Sequence, residues 1–194
     1  GSYLRLAKTT RDPRIAQRAT EVALLSRKPI QALSAAKIWV ELDSDSILAH
    51  QTIAALLVSS NRVDEAQVYL DRLLDLEGDV AKFFMQLNNL LARSANKIET
   101  LQLVQQFAKP YSEVPEAHFA IAQAASLAGQ FETARQQMKL ALTLRPDWEM
   151  AAIYNGRLLR HHVSNESAIE FYQSYLKVNP KANKTRIAFA QMLV

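Results

Sequence analysis

The chain of 194 residues contains no cysteine, and only 4 glycines and 6 prolines. Without cysteine there is no disulfide framework, no thiolate zinc site and no cysteine nucleophile. Long apolar runs are missing too: no stretch reaches the ~18 residues that a membrane-spanning helix needs, and the mean hydropathy is −0.11. No signal-peptide pattern opens the chain. Gly1-Ser2 reads as a cloning remnant and the helical pattern is already running by Tyr3. An excised fragment is therefore expected, any signal or anchor lying outside it. Phosphate-cradling glycine loops, GxSxG, HExxH and EF-hand loops are all absent from the sequence, so an enzyme reading has no constellation to rest on. No catalytic residue and no cofactor is expected. What is abundant is apolar matter: 49% of residues are hydrophobic, too many for a disordered chain.

The net charge of +4 is unevenly spread. Residues 1–37 hold eight basic side chains (Arg5, Lys8, Arg11, Arg14, Arg18, Arg27, Lys28, Lys37) against Asp12 and Glu21, a local +6. The remaining 157 residues sum to −2. A basic end attracts nucleic acid, anionic lipid or an acidic protein, although basic residues at helical spacing also serve as an ordinary solvated face.

Scarce glycine, little alternating β-branched sequence and abundant Ala, Leu and Gln point to an all-α chain. It repeats. Ala32, Ala66, Ala134 and Ala168 each follow a short polar turn and are spaced by 34, 68 and 34 residues. Pro146 and Pro180 are also 34 apart. Five frames result, 13–46, 47–80, 81–114, 115–148 and 149–182, with residues 1–12 read as the end of a preceding second helix and 183–194 as the start of a further one. In frame 115–148 the helical period runs through Phe119, Ala122 and Ser126 and breaks at Gly129. A second helix starts near Glu132 and stops before Pro146, where the missing N–H and the ring end it. Each frame is thus two antiparallel helices, with small residues where the helices approach.

These residues resemble the tetratricopeptide repeat, a 34-residue helix–turn–helix with small residues at its eighth, twentieth and twenty-seventh places and proline at its thirty-second. Frame 115–148 matches with Ala122, Ala134, Ala141 and Pro146, and frame 149–182 with Gly156, Ala168 and Pro180, Tyr175 taking the third small place. Frame 47–80 keeps Ala54 and Ala66, and frame 13–46 keeps Ala32. Frame 81–114 departs most, with Asn88, Thr100 and Phe107 at the small places and Pro110 two residues early. An irregular second helix and a looser joint around Lys109–Val114 are expected there. The resemblance implies an α-solenoid of tandem antiparallel helix pairs, and the 34-residue period argues against the base-reading pentatricopeptide repeat.

The four histidines and one acidic pair have plain structural readings. His50 and His118 hold the same place in their frames and are expected in seams between helices. His161 and His162 are adjacent, so on a helix they diverge by about 100° and chelate poorly; no metal site is expected. Asp43 and Asp45 sit between two frames and read as helix caps.

By resemblance, the first helix of each pair lines a concave face through its second, fifth, ninth and twelfth places. The residues expected to hold a partner are Gln17, Gln51, Met85, Asn89, Phe119, Gln123, Ile153, Arg157 and Arg160. The amides pair with a peptide backbone, the apolar groups anchor side chains, and Arg157, Arg160 and Lys184 favour an acidic group. Phe119, Met85 and Ile153 equally suit the seams between repeats. Family members that clamp a C-terminal carboxylate use a lysine and an asparagine where this chain has Gln17 and Glu21, and Glu21 would repel that ligand.

The opening, YLRLAKTTRDPRIAQRATEVALLSRKPIQALSAAKIWVELD, is similar to repeat arrays of proteobacterial periplasmic lipoproteins, some of which bring substrates to a carboxyl-terminal processing protease. That likeness implies a non-enzymatic adaptor in the bacterial periplasm, outer-membrane-anchored through a segment outside this one, with a protease and its substrates as partners. It implies no small-molecule substrate. A cytoplasmic location fits the lack of cysteine equally well. Two other readings stay open. One is a nucleic-acid or cell-envelope regulatory module using the basic N-terminal helices. Base stacking wants aromatics among the charges, and residues 1–37 hold Tyr3 and no other tyrosine, phenylalanine or tryptophan. The other is a regulatory piece of a larger enzyme.

Overall fold

The structure, a computed structural model, describes residues 2–194. The described residues form twelve α-helices joined by turns, with no strand. They divide into two compact units, one up to Thr100 and one from Leu101.

The first unit contains α1 (Ser2–Thr10), α2 (Pro13–Leu25), α3 (Pro29–Leu42), α4 (Ile47–Ser59), α5 (Val63–Glu77) and α6 (Val80–Leu91). The second contains α8 (Pro115–Leu127), α9 (Phe131–Leu144), α10 (Glu149–His162), α11 (Asn165–Val178) and α12 (Asn183–Leu193). Helix α7 (Lys97–Ala108) spans the division. Within each unit a helix packs chiefly on the next one and the next but one: α2 on α3, α4 on α5 and α6, α8 on α9, α10 on α11 and α12. This is an all-α solenoid of helix pairs, in which every element buries its apolar stripe against sequence neighbours.

The turns inside four of the five pairs, all but α6–α7, are closed the same way. The N–H of Lys28, Arg62, Gln130 and Ser164 donates to the carbonyl five residues back, on Ala23, Leu57, Ala125 and Leu159, at 2.9, 2.9, 2.8 and 3.0 Å. Closing such a turn usually takes one left-handed residue. Gly129 (φ 73°) supplies it at no steric cost, whereas Asn61 (φ 57°) and Arg27 (φ 53°) do so with side chains. Starts are equally local. Pro13, Pro29 and Pro115 open helices where no N–H is needed. Asp12, Ser46, Asp79, Asn96 and Ser164 accept a first-turn N–H through their side chains. Asp43 takes a capping place, but as the C-cap of α3 through its backbone N–H to Trp39 O. Asp45 does not cap, since Ser46 caps α4 and Asp45 Oδ1 accepts from Arg72 Nη2 at 2.6 Å. Ser46 is one residue closer to the helix, within reach of the Ala49 N–H.

The small residues sit where backbones come close. Ala32, Ala66, Ala134 and Ala168 are all 0% exposed. At Gly156 the approach is closer still: a Cβ there would lie 2.1 Å from Tyr172 Cζ. The expected seam positions of His50 and His118 are seen. His50 is buried with its ring 6.2 Å from Tyr69 of α5, and His118 Nδ1 is 2.7 Å from Gln137 Oε1 of α9. The expected irregularity of α7 is not. It is one unbroken helix of 12 residues, and buried Leu101, Val104 and Phe107 hold it in place. Thr100 at the small place turns its hydroxyl back to Asn96 O at 2.9 Å, which removes the polar cost of burying it.

Candidate functional site

In the second unit, the first helices α8 and α10 and the start of α12 border a cleft of about 510 Å³. Its floor is aromatic. Phe119 is 3% exposed and packs 4.9 Å from the Trp148 ring and 5.5 Å from Tyr154, centroid to centroid. Trp148 is held from the other direction by Arg145, whose guanidinium lies 4.6 Å from the indole centroid. Arg145 is itself fixed by a 2.5 Å ion pair with Glu116, a carboxylate almost fully buried under α8. Tyr154 is in hydrogen-bonding contact with Ser126, and burial pushes its phenol above the usual tyrosine range despite that bond. Ile153 is half-buried at the wall and Met150, 52% exposed, forms the rim.

The charge at the rim is biased. Glu149 Oε2 accepts from Thr185 N at 2.8 Å and from Thr185 Oγ1 at 3.2 Å, so its charge faces the N-terminal end of α12. Arg157 and Lys184 are exposed at the cleft and form no ion pair with a described residue, so two cations face Asp147 across the rim. The arrangement suits an apolar side chain set against the rings with an acidic group beside it.

Of the nine expected residues, four line this cleft: Phe119, Gln123, Ile153 and Arg157. Phe119 is its buried base rather than a free anchor, because Trp148 and Tyr154 cover it. Arg160 lies outside it, one turn along α10, in a smaller cleft of about 220 Å³ that also touches Arg157, His161 and Tyr172. The other four belong to the first unit. Gln17 donates to Glu21 Oε1 at 3.1 Å on α2, and Gln51 of α4 to Gln86 Oε1 of α6 at 3.4 Å. Met85 is half-buried and Asn89 exposed on α6. Trp148 and Tyr154 were not among the expected residues. Trp148 precedes α10 as its N-cap, outside the helical places that repeat arithmetic reads, and its one signal is its position two residues after Pro146.

The fold defines a class before any comparison: tandem helix pairs with a 34-residue period. Residues 115–147, α8 and α9 with the turn after them, match the family model for the tetratricopeptide repeat. This stretch of the chain is a tetratricopeptide repeat. The chain is 25% identical over 195 residues to the TPR repeat-containing protein PA4667 of Pseudomonas aeruginosa, covering 97% of this chain but only 32% of that relative. Among solved structures it is similar to TTC0263, a thermophilic TPR protein of Thermus thermophilus, with a TM-score of 0.53, 14% identity, and coverage of 94% of this chain and 99% of that one. It is also similar to YrrB, described as a TPR protein with an unusual peptide-binding site, with a TM-score of 0.51, 16% identity and 97% of both chains covered. A fold of this kind supports a protein–protein interaction scaffold.

Proposed function

We propose that the aromatic-floored cleft between α8 and α10 binds a segment of another protein. The observation that carries this reading is the pairing of Phe119, Trp148 and Tyr154 as a fixed apolar floor with Arg157 and Lys184 at its edge. An extended or helical segment would place an apolar side chain on the rings and an acidic residue beside the cations. Gln123 supplies a backbone-binding amide, and Arg160 continues the basic edge. On this reading Gln17, Gln51, Met85 and Asn89 line the equivalent face of the first unit. Gln17 and Gln51 already bond within the protein. The role is that of a non-enzymatic adaptor in the bacterial periplasm, tethered to the outer membrane through a part of the protein outside this chain, handing substrates to a protease. What supports the finer reading is the likeness of the opening sequence to periplasmic repeat lipoproteins and the bacterial origin of the similar protein PA4667.

The test is to capture a partner from an envelope extract and then measure its affinity for variants. Met150→Ala and Arg157→Ala are expected to weaken binding by roughly tenfold to thirtyfold, the range for anchors at the centre of an interface. Arg135→Ala on α9, outside the cleft, is expected to change it by less than about twofold. Loss of binding in Arg135→Ala with retention in the other two would rule the cleft out. Capture of a protease together with its substrates, lost in the same two variants, would support the adaptor role.

A further inference from the structure

The turn between α2 and α3 departs from the other turns of the molecule in a specific way. Leu25 and Ile30 flank it and are 81% and 82% exposed. At successive periods these places hold Ser59 with Asp64, Arg93 with Ile98, Leu127 with Glu132 and His161 with Glu166, so no other frame is aliphatic at both. Between them stand Arg27 and Lys28, both exposed, neither in an ion pair with a described residue. Arg27 takes the left-handed conformation that Gly129 adopts freely. Helix α3 has no acid in its first turn, unlike α5, α9, α10 and α11, and Lys28 precedes it without a side-chain cap. Two cations therefore crowd the positive end of a helix, and no described acid pairs with them. The nearest acid in sequence, Glu21, is committed elsewhere, to Arg18 at 3.0 Å.

We infer that this turn is a peripheral contact for an anionic lipid surface, with Leu25 and Ile30 entering the interfacial layer while Arg27 and Lys28 meet lipid phosphates. The juxtaposition has few other uses. A chain folding alone places two nearly fully exposed aliphatics beside two such cations only at a cost in solubility and charge repulsion. A lipid surface satisfies both at once, because its outer layer is anionic and the layer beneath it is hydrocarbon. The turn holds no aromatic ring, so it offers no platform for bases. The long side chains of Arg27 and Lys28 reach outward to phosphates while the aliphatics go deeper.

Co-sedimentation tests this with the whole chain and vesicles of phosphatidylcholine, with or without phosphatidylglycerol, at low and high salt. Binding is expected to the anionic vesicles only and to fall with salt. Leu25→Ser with Ile30→Ser is expected to lower partitioning about tenfold or more. Arg27→Gly with Lys28→Ser is expected to lower it about tenfold or more at low salt, near fivefold per charge. The affected side chains are exposed, so neither variant should lower the parental melting temperature, which separates lost binding from lost fold. Arg27→Gly at a left-handed position and Lys28→Ser at the N-cap should raise it if they change it. Equal partitioning into neutral and anionic vesicles, or anionic binding unchanged in both variants, overturns the proposal. So does a wild-type dimer in sedimentation velocity that the Leu25/Ile30 variant converts to monomer without any vesicle binding, since a second copy would then be the occupant.

Discussion

At Gly156 the missing side chain is filled by a neighbour. The Tyr172 ring enters the space a Cβ would take, and its hydroxyl donates to Ile153 O at 3.3 Å. Gly→Ala inside a helix normally gains up to about 1 kcal/mol from propensity. Here Gly156→Ala is expected to cost about 1–3 kcal/mol by overpacking, and the sign should reverse when Tyr172→Leu is already present. A four-variant denaturation cycle that is simply additive would contradict the contact. In the same frame, Tyr175 shows the opposite misfit. It stands where the repeat prefers a small residue, and its buried hydroxyl has no hydrogen-bond partner among the described residues. Burial first, then the charges of Glu149 and Asp147, push its phenol up to about 12 from the ordinary 10.0. The native state therefore holds this proton more tightly than the unfolded chain does. The contribution is fully present below pH 10 and is lost as pH rises through the window from 10 to about 12. Denaturant melts across that window should fall for the parent and fall less steeply for Tyr175→Phe, the raised phenols of Tyr69, Tyr154 and Tyr172 supplying the rest. The substitution removes the unpaired hydroxyl and is expected to cost less than about 1 kcal/mol at neutral pH. The small places were legible because a fixed period exposes them: Ala32, Ala66, Ala134 and Ala168 announce close packing by spacing alone. Depth was not. Periodicity assigns Phe119 to a side of α8 but not to a level, and its burial depends on Trp148 and Tyr154 arriving from the end of its own frame and from the next.

Among the elements, helix starts carry the sharpest contrast between sequence and structure. Asp43, Asp45 and Ser46 are all good capping types within four residues, and no pattern in the chain chooses between them. The choice is geometric, and Ser46 makes it by reaching the Ala49 N–H at 3.3 Å. Ser46→Ala is expected to cost about 1 kcal/mol, whereas Asp45→Ala removes an exposed pair with Arg72 and should cost less than about 1 kcal/mol. Thermal melts of the two variants would show it, and an inverted order would restore the aspartate as the cap. The same lesson applies to α7. Poor agreement at Asn88, Thr100 and Phe107 marks the frame in which the division into two units falls, at Thr100–Leu101 and not in the link around Lys109–Val114. The agreement is a statement about packing between helices, however, and not about the helix itself, which Leu101, Val104 and Phe107 sustain. Amide exchange is expected to be faster over residues 95–114 than over 115–145, because local opening follows sparse packing. Equal protection of the two stretches would remove the distinction.

On the scale of the molecule, the side-chain hydrogen bonds that span more than thirty residues fall near one sequence interval. Gln51 bonds Gln86, Asn179 bonds Pro146 O, and Thr185 bonds Glu149, at separations of 35, 33 and 36 residues. No described helix needs a distant part of the chain to complete its principal packing. A fragment starting near Lys109 and ending at Val194 is therefore expected to keep α8 to α12 helical and to melt cooperatively on its own; a circular dichroism spectrum of a coil would show that the two units depend on each other. The identity of a partner lies beyond what periodicity conveys, because the period specifies a scaffold while loop residues such as Trp148 shape the cleft. The turn closed by Lys28, Arg62, Gln130 and Ser164 has one more consequence, for how such a chain changes length. Each closure refers only to residues five positions back, and each seam only to residues within about one period. Duplicating or deleting a whole 34-residue segment would leave every remaining bond with its proper partner, while a change of any other size would put Glu149 opposite something other than Thr185. Length is thus quantised in this architecture: lineages can lengthen or shorten it by complete helix pairs with little penalty, and by fractions of a pair only at the ends.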